Sequence, residues 1–164
     1  MNEELLKEYK AEANRIEEDS IHSSKSHYNA SDRWSHIHLF IGIPNAILAA
    51  FAGIEAFKGS ELLAGSLAIA VAAITAINTF LNPGDRASNH KRCAGEYLAL
   101  KNRARIFNKI DCERLQSEDK IDTTFKELVD KRDNLNSTSP PIPSWAFKKA
   151  KKGIDAGESG YKEK

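Results

Sequence analysis

Five histidines and two cysteines are the side chains in this chain best suited to hold a metal or relay a proton. Their spacing argues against both roles. His36 and His38 stand two positions apart, which on a helix puts them on different sides, and the i, i+4 geometry of a zincin is absent. Cys93 and Cys112 lie 19 positions apart, which is neither a disulfide framework nor a zinc spacing, and they are expected to be reduced thiols. His90, Asp85 and Glu96 could be assembled into an acid/base group, but nothing in their spacing fixes a geometry. No Gly-x-Ser-x-Gly elbow, Walker loop or dinucleotide glycine fingerprint occurs. The histidines are expected to be packed or interfacial, and the chain is expected to be no enzyme and to need no metal or cofactor.

One basic cluster is more suggestive. Lys148, Lys149, Lys151 and Lys152 stand beside Trp145 and Phe147 on a short amphipathic segment. Such a helix could rest on an anionic leaflet, each cation contributing about 1 kcal/mol near the surface. It could equally be a solvated face, or a cap packing its aromatics onto a bundle. Spacing alone leaves both readings open.

The elements that must position these groups follow from how charge is distributed. The chain carries 24 Lys+Arg against 23 Asp+Glu, a net charge of +1, so the long-range field that draws a protein onto nucleic acid is missing. No direct nucleic-acid binding is expected. The apolar residues are concentrated: from Trp34 to Leu81, 31 of 48 residues are hydrophobic and only Glu55, Lys58 and Glu61 are charged. Two segments stand out, at about 35–56 and 62–81. The second is 20 residues without a charge, about 30 Å as helix, the thickness of a bilayer's hydrocarbon layer. A soluble domain of this size would struggle to cover two adjacent all-round apolar helices.

The linker Phe57-Lys58-Gly59-Ser60-Glu61 is just long enough to reverse the chain, so an antiparallel transmembrane hairpin over 34–81 is expected. Arg15, Lys25 and Arg33 precede it, Arg86, Lys91, Arg92 and Lys101 come after it, and the turn offers only Lys58. By the positive-inside rule both termini are cytoplasmic, with Trp34, His36 and His38 near the inner interface. The N-terminus carries Glu3 and Glu4 where a secretory signal has a basic region, so the first arm is expected to stay unexported.

Small residues recur along each apolar helix: Gly42, Ala46, Ala49, Ala50 and Gly53 in the first, Ala64, Ala68, Ala72, Thr75 and Thr79 in the second. In lipid, close backbone approach across small side chains is a usual source of helix association. The stripe can be satisfied within the hairpin or by neighbouring copies. Asn45, Thr75, Asn78 and Thr79 are the polar candidates, either to line a pore or to hydrogen-bond between helices. Asn45 follows Pro44, and its amide could satisfy a carbonyl that the proline frees.

The arms, 1–33 and 82–164, read as helical. Leu5, Leu6, Tyr9, Ala13, Ile16, Ser20, Ser24, His27, Ala30 and Trp34 fall near one face of the first. Asn82-Pro83-Gly84 is a breaker, and Asp85 is expected to cap the helix after it. His90, Cys93, Tyr97, Leu100, Ala104 and Phe107 then recur in alternating steps of three and four, the seam of a packed helix, with Arg92, Glu96, Lys101, Arg103 and Arg105 outside it. A further helix is expected over 118–135, with Ile121, Phe125, Leu128, Arg132 and Leu135 on one side. The stiff stretch 139–143 leads to a basic helix over 145–154 capped by Ser144, and then to a frayed tail from Gly157. The expected fold class is all-α, a membrane hairpin with a cytoplasmic helical bundle built from both arms.

This arrangement, with its Asn82-Pro83-Gly84-Asp85-Arg86-Ala87 turn, His90, Ala94-Gly95, Tyr97-Leu98-Ala99-Leu100 and the Pro-rich stretch before an aromatic-basic helix, resembles the SLATT family. These are two-transmembrane effector domains associated with bacterial nucleotidyltransferase and nucleotide-sensing modules. The resemblance covers nearly the whole chain. It implies a pore-forming effector of anti-phage conflict systems that oligomerises in the bacterial inner membrane and causes cell death or growth arrest. It also implies a partner that makes or senses a nucleotide signal, a nucleotidyltransferase, a cyclase or a reverse transcriptase. This sequence carries no fused sensor domain of its own, so the signal is expected to come through the helical arms or a separate protein. Two other readings compete: a non-conducting membrane anchor that recruits a partner, and a soluble helical bundle that buries the apolar helices in an oligomer.

Overall fold

Every element among the described residues, 3–115 and 117–159 of this computed structural model, is a helix. Helix α1 runs from Glu3 to Phe57. It passes through Pro44 without interruption, at the cost of the backbone bond that proline cannot donate. Helix α2 spans Glu61–Leu81 and α3 spans Pro83–Ile106. A π-helical turn, Phe107–Asp111, and a single α-turn, α4 (Cys112–Arg114), continue α3. Helix α5 covers Glu118–Thr138 and α6 covers Ser144–Asp155. The chain forms two compact units, one of residues 1–30 and 89–164, the other of residues 31–88. The divisions fall inside α1 and α3, a few residues outside the 34–81 block that hydropathy marks out.

The reversals have identifiable chemistry. Gly59 ends α1 in the left-handed region at φ 78°, where a β-carbon would be strained. Ser60 N–H bonds the Glu55 carbonyl at 3.0 Å and Gly59 N–H bonds the Ala56 carbonyl at 3.1 Å, the paired closure of a Schellman motif. Asn82, also left-handed at φ 43°, ends α2 by bonding the Asn78 carbonyl at 2.9 Å. Pro83 then opens α3, where its fixed φ and missing donor cost nothing. The break is thus the single residue Asn82, and Gly84 is helical. Asp85 does not cap α3 as expected: it lies in the first turn and accepts from the Asn82 side-chain amide at 2.5 Å.

The helical unit is built on α1, α3 and α5. Ala13 and Ile16 of α1, Cys93 to Phe107 of the α3 seam, Cys112, and Ile121, Leu128 and Leu135 of α5 form one buried cluster. Tyr9 meets Phe125 edge-on at 5.0 Å, and Phe107 lies 5.9 Å from the same ring. The π-turn explains how Phe107 and Cys112, five positions apart, are both buried. The wider i to i+5 turn returns that spacing to nearly the same side, which an α-helix does not. Leu5 stays exposed at the start of α1. Ser144 is the first residue of α6 and not its cap, since the cap position belongs to Pro143 and carries no side-chain bond. Beyond α6 the chain turns at Gly157, with Glu158 N–H on the Gly153 carbonyl at 3.1 Å and the Glu158 carboxylate on Lys25. The expected fraying from Gly157 therefore does not hold through Ser159, and residues 160–164 lie outside the described residues.

Candidate functional site

The unit of residues 31–88 carries the apolar part of α1 and all of α2, and no residue of the most apolar 18-residue window in either is buried. Both are long and apolar enough to cross a membrane. Phe40, Phe57, Leu62 and Phe80 are each more than 80% exposed, which decides that nothing among the described residues covers them. Partly covered positions recur in alternating steps of four and three: Ile41, Asn45, Leu48, Ala52 and Glu55 on α1, and Ala64, Leu67, Val71, Ile74 and Asn78 on α2. That is the pattern of helices that touch along a narrow seam.

The small-residue stripe is not that seam. Only Gly42 and Ala64 are partly covered, while Ala46, Ala49, Ala50, Gly53, Ala68 and Ala72 are exposed. A β-carbon added at Gly42, Gly53 or Gly65 would meet nothing within 4 Å. Leu48, Leu67, Val71 and Ile74 are partly covered where most of the small residues are not.

The polar candidates divide the same way. Asn45 donates from Nδ2 to Thr75 Oγ1 at 2.8 Å, joining α1 to α2, and does not serve a backbone carbonyl near Pro44. Thr79 bonds back to the Thr75 carbonyl at 2.9 Å. Asn45 Oδ1 and Asn78 Oδ1 are buried acceptors with no partner among the described residues, a state that costs free energy. At the turn Lys58 pairs with Glu55 at 2.9 Å. At the other end Arg86 stacks over Trp34 at 5.0 Å, Ser31 Oγ donates to the Ala87 carbonyl at 2.9 Å, and the His38 ring lies 3.5 Å from where a Gly84 β-carbon would stand. His36 is exposed.

In the helical unit His90, Cys93, Tyr97, Leu100, Ala104 and Phe107 are all buried. Lys101, expected outside this seam, is buried as well at 6% exposure. Polar groups dominate the α1 side of the contact: Ser20, Ser24, Ser26 and His27 are buried, and Ser24 Oγ donates to the Ala94 carbonyl at 2.9 Å. The pairing that spacing did not reveal is His27 with His90, Nδ1 to Nδ1 at 2.8 Å, one ring donating and the other accepting. Burial, then the neighbouring His90, lowers the pKa of His27 to about 4. Tyr97 stacks on His27 at 5.5 Å, and its hydroxyl donates to Asn136 Oδ1 at 3.0 Å. The sequence held a signal for half of this: both histidines fall on the core-facing side of their helices, but spacing within a helix says nothing of what faces it across a contact.

The basic helix α6 docks through small residues. Ala146, Ala150 and Gly153 are buried, and Asn29 Nδ2 donates to the Ala146 carbonyl at 3.2 Å. Phe147 lies 6.0 Å from the His22 ring, and Lys148, Lys149, Lys151 and Lys152 are exposed. Trp145 is partly covered. Alanine and glycine make the packed contacts of this helix and the aromatics contribute at the edge, while its exposed lysine face is left to either reading. Cys93 and Cys112 are free thiols, and burial raises the pKa of Cys112. Among the described residues no three His, Cys, Asp or Glu side chains gather as a metal site. No protein-family model, curated protein or solved structure matches this chain.

Proposed function

We propose that this chain is a membrane effector of the SLATT type, with the apolar parts of α1 and α2 inserted in the bacterial inner membrane as an antiparallel hairpin and both arms cytoplasmic. The observation that carries the reading is that neither apolar window contains a buried residue. In water this surface would be an aggregation hazard, whereas in lipid it is the ordinary exterior of a spanning helix. The Arg86–Trp34 stack supports an interfacial belt at the cytoplasmic end. On activation by a partner that makes or senses a nucleotide signal, the protein oligomerises, breaches the membrane and stops growth. The exposed small residues are the groups available to neighbouring copies. A trigger can act only through differential affinity for the resting and assembled states.

A second reading is favoured by one bond. Asn45 Nδ2 donates to Thr75 Oγ1 within the chain, which suits a non-conducting anchor whose polar residues tie its helices together. Release of a small dye from liposomes carrying the full chain, with and without co-reconstituted partner, separates the two. Effectors release dye on activation and lose release when Asn78→Leu and Thr75→Val are combined. Retained dye in every condition, with no depolarisation of expressing cells, rejects the pore.

A further inference from the structure

The helical unit carries an open-sided cavity of about 440 Å³ lined by α1, α3, α5 and α6, within the size range of sites that hold small organic molecules. Its walls differ in sign. Glu18 and Asp19 line it from α1, Arg132 lines it from α5, and Lys151 with Asp155 lines it from α6. Glu18, Asp19, Lys151 and Asp155 make no ion pair with any other described side chain. Arg132 spends only its Nε, on Asp133 at 3.0 Å, and keeps its terminal guanidinium nitrogens. Rings complete the site: Tyr97 is buried at its inner side, Phe147 is 45% exposed, and His22 between them and α1 has a buried Nδ1 without a partner.

The charge pattern selects among ligands. A purely anionic molecule would meet three carboxylates alongside two cations. A purely cationic one would leave Arg132 and Lys151 without a counter-charge. We propose that this cavity binds a small aromatic zwitterion of the α-amino-acid type. Its carboxylate pairs with the Arg132 fork and Lys151, its ammonium meets Glu18 and Asp19, and its ring packs against Phe147 and Tyr97. Tyr97 stacks on His27, which bonds His90, so an occupied cavity braces the contact between α1 and α3. The proposal goes beyond the membrane role and stands on the helical unit alone.

Isothermal titration of the full chain in detergent micelles tests it with four probes: L-tryptophan, tryptamine, which lacks the carboxylate, indole-3-propionate, which lacks the ammonium, and adenosine monophosphate, a ring with an anion only. Tryptophan is expected to bind at least about tenfold more tightly than each of the others, the value of one lost charge-assisted bond. Arg132→Gln and Asp19→Asn each weaken tryptophan by about the same factor, while Lys148→Gln, on the exposed face of α6, leaves it unchanged. Both cavity variants change partly or fully exposed side chains, and an unaltered helical circular dichroism spectrum certifies their fold. No heat with millimolar tryptophan overturns the proposal. So does equal or tighter binding of tryptamine or adenosine monophosphate, or unchanged affinity in Arg132→Gln. A failed dye-release assay leaves this titration untouched.

Discussion

His27 is fully buried and faces His90 through a single shared proton, so its protonation is tied to folding. Among the described residues His90 and Tyr97 from α3 face it, and its pKa is lowered by burial first and then by the neighbouring His90. An unfolded histidine takes up its proton near 6.5 and the folded one only near 4. Between those values the unfolded state binds more protons, so the stabilisation is complete above pH 6.5 and declines as the pH falls towards 4. The total is about 3 kcal/mol. Denaturant unfolding of the full chain in micelles between pH 7.5 and 4.5 is expected to show this decline, and His27→Gln to flatten it. Glu96 and Asp122, held below the usual carboxylate range by bonds to Lys131 and Lys126, lose their contributions only below their unfolded values of 4.5 and 3.8, which leaves the upper window to histidine. Asn45→Leu removes the bond to Thr75 and is expected to cost no more than about 1 kcal/mol, because unfolded helices in a membrane find other partners. Reversible unfolding in mixed micelles reads that difference.

At the scale of the element, the turn and the docked helix make the sharpest expectations. Gly59→Ala forces a β-carbon into the left-handed region at φ 78° and is expected to lower stability by about 1 kcal/mol in the same unfolding experiment. Ala150→Leu puts a branched side chain into the buried face of α6 and is expected to cost about 1–3 kcal/mol. Lys148→Gln on the opposite face should leave the unfolding midpoint unchanged. These elements also show what spacing can and cannot tell. The α3 seam is readable because six core positions follow one helical period, and the apolar segments because they lack charge over a bilayer's length. The π-turn is not, since one extra residue per turn leaves no glycine or proline to mark it. Spacing misplaces Asp85 and Ser144 as caps because it treats Pro83 and Pro143 as stops, whereas their fixed φ lets a helix begin at or directly after them. The small-residue stripe is harder to place: periodicity gives several faces to an all-round apolar helix, and the exposed positions Ala46, Ala49, Ala50, Gly53, Ala68 and Ala72 leave only the neighbouring-copy reading open to most of it.

For the whole molecule, the division at residues 30/31 and 88/89 separates a unit with a conventional buried core from one without any in its apolar windows. The first buries a core of its own, and the second requires another solvent or another chain. Every functional step proposed, insertion, assembly and breach, depends on that solvent being lipid. The dependence is also why function is only partly legible: hydropathy marks two candidate spans, but neither the trigger nor the assembled state leaves a mark in one chain's sequence. The most direct measurement is the partition of the full-length protein after an alkaline carbonate wash of cell membranes. It is expected to stay in the pellet and to be released only by detergent. Recovery in the aqueous supernatant as a folded, non-aggregated species would contradict the account, because the exposed surfaces of α1 and α2 would then be covered by protein and not by lipid.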